Sequence, residues 1–157
     1  TTGRYVVTRL ASFRFYLYAA PGYLARHPPI GQQADLGRHD FVDYVQDRLA
    51  SRELSYLNEL GFTPRRRMCC SGMTAQIEAA SLGMGLMMAP PYAVPDDGRL
   101  VPVLPGFSAE RSFWLAAPTD LYRLRRVKVV WDVLREYADS SPGLFVQDGM
   151  QGALAQN

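Results

Sequence analysis

Ser71-Gly72-Met73-Thr74 is the stretch of this 157-residue chain best suited to holding a small anion. A short polar turn opens a helix there. The free backbone N–H groups of a helix start carry partial positive charge. The hydroxyls of Ser71 and Thr74 add hydrogen-bonding groups, Gly72 lets a ligand approach the backbone, and Met73 adapts to ligand shape. A second strand end, Asp43 to Asp47, supplies Gln46 and Tyr44, the latter with an apolar face and a polar tip. Ligands of open α/β sheets gather at the carboxyl ends of strands, where both stretches fall. A plainer reading of the same turn stays open: Ser71 and Thr74 only cap a helix.

Reaction chemistry is absent around these residues. The chain has no Gly-x-Ser-x-Gly, no His-Glu-x-x-His and no phosphate-loop pattern. Gly83-Met84-Gly85 follows a helix and precedes a strand, the reverse of the dinucleotide fingerprint, so helix capping explains it better. His27 and His39 read as surface or loop histidines. No metal or cofactor is expected, and no enzyme. Cys69 and Cys70 are adjacent and bridge only with strain. They read as reduced thiols in a strand, which suits the cytoplasm. The net charge of +2 is too small to imply nucleic-acid binding. The positive runs at Arg65-Arg66-Arg67 and around Arg123 to Lys128 read as solvated faces. No apolar run approaches the roughly 20 residues of a membrane span.

The elements that position these residues alternate. Arg14–Ala20 reads as a strand, Pro21–Leu24 as a short helix and Phe41–Val45 as a second strand. Leu54, Leu57 and Leu60, closed by Gly61, predict a helix over Ser51–Leu60. Arg65–Ser71 is a third strand. Ser71 or Thr74 begins the next helix, which ends at Gly83 and Gly85. Leu86–Ala89 is apolar throughout, the mark of a strand covered on both faces. Arg99–Leu104 is extended but holds Pro102, and Phe113–Ala116 is a further strand. Leu124–Ala138 is a helix with Leu124, Val127, Val130, Trp131, Leu134 and Tyr137 on one stripe. From Ser140 a flexible tail is expected. Pro102, Pro105 and Gly106 suit a chain crossing between lobes, which predicts that Phe113–Ala116 lies outside the sheet of Leu86–Ala89. The whole is an α/β fold.

Five motifs in order carry a resemblance. Leu17–His27 (LYAAPGYLARH), Ala34–Asp40 (ADLGRHD), Ala79–Leu86 with Met88–Pro90 (AASLGMGL, MAP), Gly98–Leu104 (GRLVPVL), and Phe113–Leu115 with Arg126–Lys128 resemble segments of LysR-type transcriptional regulators. The resemblance covers Leu10 to about Asp139.

That family joins a winged helix-turn-helix to an effector domain of two Rossmann-like lobes of the type 2 periplasmic-binding-protein architecture. The resemblance implies one complete lobe and one partial lobe here. Residues 1–20 would be the end of lobe I and a crossover strand. Residues 21–104 would be lobe II, 105–139 the return to lobe I, and 140–157 the tail. It implies a regulatory domain that senses a small, anionic metabolite, a carboxylate foremost, in the inter-lobe cleft. The cleft wall would be Tyr44 and Gln46 together with Ser71, Gly72, Met73 and Thr74. It further implies a homodimer or higher homo-oligomer, and DNA contact only through a helix-turn-helix that this chain lacks. The alternative is a periplasmic solute-binding protein of the same architecture, which the unpaired vicinal cysteines disfavour.

Overall fold

The computed structural model describes residues 4–45, 57, 61 and 63–141. Five strands carry the fold: β1 (Tyr5–Ala19), β2 (Asp40–Tyr44), β3 (Arg65–Cys70), β4 (Met87–Ala89) and β5 (Val101–Pro118). Helices α1 (Pro21–Leu24), α2 (Met73–Ser81), α3 (Thr119–Tyr122) and α4 (Arg125–Ser140) join them, with 3₁₀ turns at Gln33–Arg38 and Pro91–Ala93. The helix predicted over Ser51–Leu60 lies outside the described residues except for Leu57, which is buried. The expected tail lies outside them beyond Ser141.

β2 and β3 run parallel, while β4 and β5 both pair antiparallel with β1. A parallel bridge between Phe41 and Leu86 joins the two sheets. There the Val42 N–H donates to the Leu86 carbonyl and the Leu86 N–H to the Asp40 carbonyl, each at 2.8 Å. The order across the molecule is therefore β3-β2-β4-β1-β5, a mixed sheet.

Strand periodicity explains the core. Neighbouring side chains in a strand point to opposite faces. Phe13, Phe15 and Leu17 of β1, Phe41 and Met88 fall in one apolar layer, with Tyr23 and Leu36 over them. Tyr16, Tyr18, Val42, Met87 and Ala89 fall in the other, against Ile77, Ala79 and Ala80 of α2. Every residue from Leu86 to Ala89 is fully buried, as its unbroken apolar run predicts. Each large side chain so buried contributes roughly 1.5–3 kcal/mol.

One expectation is corrected. Phe113–Ala116 does not lie outside the sheet of β4. It belongs to β5, which pairs with β1 from Ala19↔Val101 to Tyr5↔Pro118, and β1 also carries β4. The Pro105-Gly106 pair does not end the strand. Between Leu17↔Val103 and Tyr16↔Ser108 the ladder skips Leu104–Phe107, with Leu104 at φ 47°. The extra residues bulge out and the ladder resumes beyond them.

The helix predicted over Leu124–Ala138 forms as α4; of its six stripe residues only Trp131 is buried, edge-on to Tyr122 at 5.0 Å. Val130, Leu134 and Tyr137 are exposed, as are Tyr5, Val7 and Trp114 on the β1–β5 ribbon.

His27 and His39 both lie in loops, as expected, but they are covered to different degrees: His27 is half-buried. His39 is fully buried, and its Nδ1 lies 3.3 Å from the Tyr23 hydroxyl. That hydroxyl accepts from the Asp40 N–H at 3.0 Å, so its own proton is free for Nδ1. His27 stacks on Tyr23 at 3.8 Å and donates from Nδ1 to the Tyr23 carbonyl at 2.8 Å. The cluster anchors the start of β2, whose far end is Tyr44.

Burial, then the neighbouring His27, lower the proton affinity of His39 below its ordinary 6.5, against the pull of Asp35 and Asp40. The folded state therefore holds the ring neutral where the unfolded chain begins to bind a proton. Stability is complete above about pH 6.5 and is lost as pH falls below it. The urea midpoint is expected to fall between pH 7.5 and pH 5, and the fall to flatten in His39→Gln. An equal fall in the wild type and the variant would assign the effect elsewhere.

Candidate functional site

Parallel pairing brings the carboxyl ends of β2 and β3 together. Tyr44 is paired with Cys70, one residue before Ser71, and the Val45 N–H extends the ladder to the Cys70 carbonyl at 3.0 Å. Tyr44 and the Ser71–Thr74 turn are therefore neighbours. Gln46 and Asp47 lie outside the described residues.

The turn leads into α2 with Gly72 as its N-cap, at φ −150°, in ordinary extended backbone. No side chain caps this helix start, so Ser71 and Thr74 do not have the plain capping role. The first closing bond is from the Gln76 N–H to the Gly72 carbonyl, at 3.3 Å. Helix geometry thus leaves the N–H groups of Met73, Thr74 and Ala75 without intrahelical partners. Ser71 and Thr74 are exposed. A Cβ on Gly72 meets nothing within 4 Å, so the glycine leaves open space above the turn without needing a positive φ. Met73 is half-buried and packs against both apolar layers.

Gln76, one turn into α2, was not singled out from the sequence. It is fully buried, and its amide nitrogen and oxygen have no hydrogen-bond partner among the described residues. Helical side chains lean toward the N-terminus, so this amide lies under the first turn. Tyr92 was missed as well. It sits in the 3₁₀ turn that follows β4, at the third parallel strand end, and stays about half exposed. Its aromatic type just after a Pro-Pro stop was the only signal in the sequence.

Electrostatics separate structural from available groups. Asp43 is fully buried and is occupied by fold contacts: its carboxylate accepts from Arg66 Nε at 2.7 Å and from the Tyr44 N–H at 2.8 Å. Arg65 and Arg67 both reach the carboxylate of Asp40, which hydrogen bonding to Arg65 holds below its usual range. The arginine run is thus an ion-pair ladder between β2 and β3 rather than a merely solvated face. Burial pushes the Cys70 thiol up, away from the reactive thiolate, and Cys69 is exposed and unbridged. Burial, then Asp43, raises the Tyr44 phenol, so it is a neutral hydrogen-bonding group near neutral pH. Among the described residues no three His, Cys, Asp or Glu side chains assemble as a metal site, and no helix is long and apolar enough to cross a membrane.

Three surface hollows of about 300, 390 and 440 Å³ lie elsewhere, beside Leu100, Ile30 and Arg26 respectively. None of these three includes Tyr44 or the Ser71–Thr74 turn. The candidate site is a wall of converging strand ends.

The class the fold defines is a mixed α/β sheet whose parallel strands end beside a helix start without a side-chain cap. Residues 1–139 match the LysR substrate binding domain family, and the chain belongs to that family. It is 27% identical to the HTH-type transcriptional regulator PtxR of Pseudomonas aeruginosa, over 86% of this chain and 45% of that protein. The chain thus spans about half the length of that curated relative. The regulatory domain of CrgA from Neisseria meningitidis superposes with a TM-score of 0.68 at 21% identity, covering 87% of this chain and 70% of the other. The Synechocystis CcmR regulatory domain, solved in complex with 2-PG, gives 0.68 at 16% identity, over 87% and 68%. At these identities the likeness is one of fold.

Proposed function

We propose that the chain is the effector-binding part of a LysR-type DNA-binding transcriptional regulator and senses a small anionic metabolite, a carboxylate foremost. The observation that carries the reading is the uncapped start of α2 beside Tyr44, where three parallel strands end. Backbone N–H groups there contribute about 0.3–1 kcal/mol toward an anion when exposed, and up to about 2 when partly buried. The cleft is that of a two-lobe, type 2 periplasmic-binding-protein architecture. Residues 21–104 form the second lobe, and 1–20 and 105–139 pass to and from the first. The apolar residues left exposed on α4 and the ribbon support this division, because they offer a face for the rest of lobe I.

In the whole regulator the domain works in the cytoplasm as a homodimer or higher homo-oligomer. DNA is contacted through the regulator's helix-turn-helix. Effector binding shifts a population between lobe arrangements.

A thermal-shift screen of small carboxylates tests the reading, with hits carried to calorimetry. Ser71→Ala is expected to weaken a hit about 2- to 10-fold, the loss of one hydrogen bond. Gly72→Val is expected to weaken it about tenfold or more while the fold stays intact, because the new side chain occupies the approach to the turn. Unchanged affinity in both variants would place the ligand elsewhere.

A further inference from the structure

We infer that the hollow of about 300 Å³ beside Leu100 is a second binding site, and that its ligand is a small alkylammonium ion, which donates to the Tyr18 hydroxyl and faces the Asp96 carboxylate. The hollow shares no lining residue with the strand-end wall, so the site stands independently of the effector reading above.

Tyr18 comes to this place through its two neighbours. Near the end of β1 it is paired with Met87 of β4 on one side and with Pro102 of β5 on the other. Its ring joins the apolar layer that packs against α2, and only 5% of the residue is exposed. Buried phenols usually place their hydroxyl on a hydrogen-bond partner. The Tyr18 hydroxyl has none among the described residues, and it is not sealed in either, because it borders the hollow. Burial, then the nearby Tyr16 phenol, push its pKa up to about 12, so it is a neutral group with free lone pairs. The chain that follows β4 closes the other side. It turns at Pro91–Ala93 and returns by Pro95 and Asp96 to Leu100.

The rim accepts hydrogen bonds and scarcely donates them. Pro91, Pro95 and Pro102 have no N–H, and the Val94 N–H is spent on the Pro91 carbonyl at 3.2 Å. Asp96 is the only charged residue of the lining. Its neighbour Asp97 is taken by Arg99, whose Nε donates to it at 2.7 Å, and the same guanidinium reaches Glu78 at 3.0 Å. Among the described residues that leaves Asp96 without a cation. An anion entering here meets a carboxylate and few donors, whereas an ammonium meets acceptors. Leu100, which is buried, joins Val94 and the proline rings in an apolar wall for a short alkyl chain. The volume lies at the low end for small-molecule sites, which keeps that chain short.

The test titrates the full chain with n-butylammonium chloride, n-butanol and sodium butyrate at matched ionic strength, reading amide shifts at Val94, Asp96, Leu100 and Val101 by NMR. Butylammonium is expected to give saturable shifts there and to bind about threefold or more tightly than butanol, the gain of an exposed charge pair. Butyrate is expected to give none. Asp96→Asn is expected to remove the preference for the ammonium over the alcohol. Tyr18→Phe is expected to weaken butylammonium about 2- to 10-fold, the loss of one hydrogen bond, while the urea midpoint stays where it was, because the hydroxyl holds nothing in the fold. Equal binding of butylammonium and butanol, or a preference that survives Asp96→Asn, would overturn the cation class. Unchanged affinity in Tyr18→Phe, or no shifts at these four amides with any of the three probes, would overturn the site itself.

Discussion

Gly85→Ala is expected to unfold the molecule, or to cost about 3 kcal/mol or more where folding survives. Gly85 has φ +156°, and a Cβ built there falls 2.5 Å from the Asp40 carbonyl oxygen and 2.8 Å from its carbon. Both are backbone atoms of β2, so no side chain can swing aside. The next residue, Leu86, makes the two 2.8 Å hydrogen bonds that join the β2–β3 pair to the rest of the sheet. A methyl group at Gly85 therefore pushes apart the Phe41–Leu86 bridge, which among the described residues makes a single sheet of two. Gly98→Ala is a useful contrast. Gly98 also has a positive φ, +74°, yet nothing lies within 4 Å of its Cβ. It is expected to pay only the local backbone cost of roughly 1–2 kcal/mol. Urea unfolding of the two variants measures the difference, and equal losses would show that the close approach at Asp40 relaxes freely.

Arg66→Met is expected to cost about 3 kcal/mol, while its neighbour Arg65→Ala is expected to cost far less, as exposed ion pairs do. The two arginines are adjacent in sequence but on opposite faces of β3. Arg66 is mostly covered and bonds the fully buried Asp43 carboxylate. Removing it leaves that carboxylate short of a partner in a place water does not reach. Arg65 is largely exposed and shares Asp40 with Arg67, which remains. Denaturant midpoints of the two variants decide the matter. If Arg66→Met proves as mild as Arg65→Ala, Asp43 draws its compensation from other groups. Restoring a cation with Arg66→Lys is expected to recover only part of the loss, because a point charge does not reproduce the planar guanidinium contact.

Local pattern made much of the fold readable. Leu86–Ala89 is apolar at every position because both faces of β4 are covered, and that needs no tertiary knowledge. Pro21-Gly22, Gly83 and Pro90-Pro91 mark ends that the structure keeps. Pairing is where the residues said less. Pro105 and Gly106 carry ordinary breaking signals, yet partners on both sides keep β5 in register and turn the break into a bulge. The stripe on α4 announced an amphipathic helix without saying what covers it. His27 and His39 stand twelve residues apart in sequence, and only the fold gathers both around Tyr23, the first stacked and the second tilted. Tyr44 and Ser71–Thr74 were singled out as candidates because strand ends are general places for ligands. Tyr92 was not, since its place depends on the antiparallel return of β1, which no local pattern encodes. Asp43 is occupied by Arg66, a cross-strand pairing invisible until β2 and β3 are in register.

The ribbon of β1 and β5 has a mechanical meaning. A swivel needs a few unpaired residues whose torsions turn freely, and these two strands are hydrogen-bonded to each other on both sides of Leu104–Phe107. Such a pair behaves as a leaf spring: it flexes by coiling along its length and stores the strain it is given. Its compliance concentrates where the ladder is interrupted, at the four residues bulged from β5 and at Leu10, which the register skips on β1. Phe13 and Phe113 stack between those two weak points. A sideways load on that stack therefore bends the ribbon chiefly at its two interruptions rather than along the paired stretch between them.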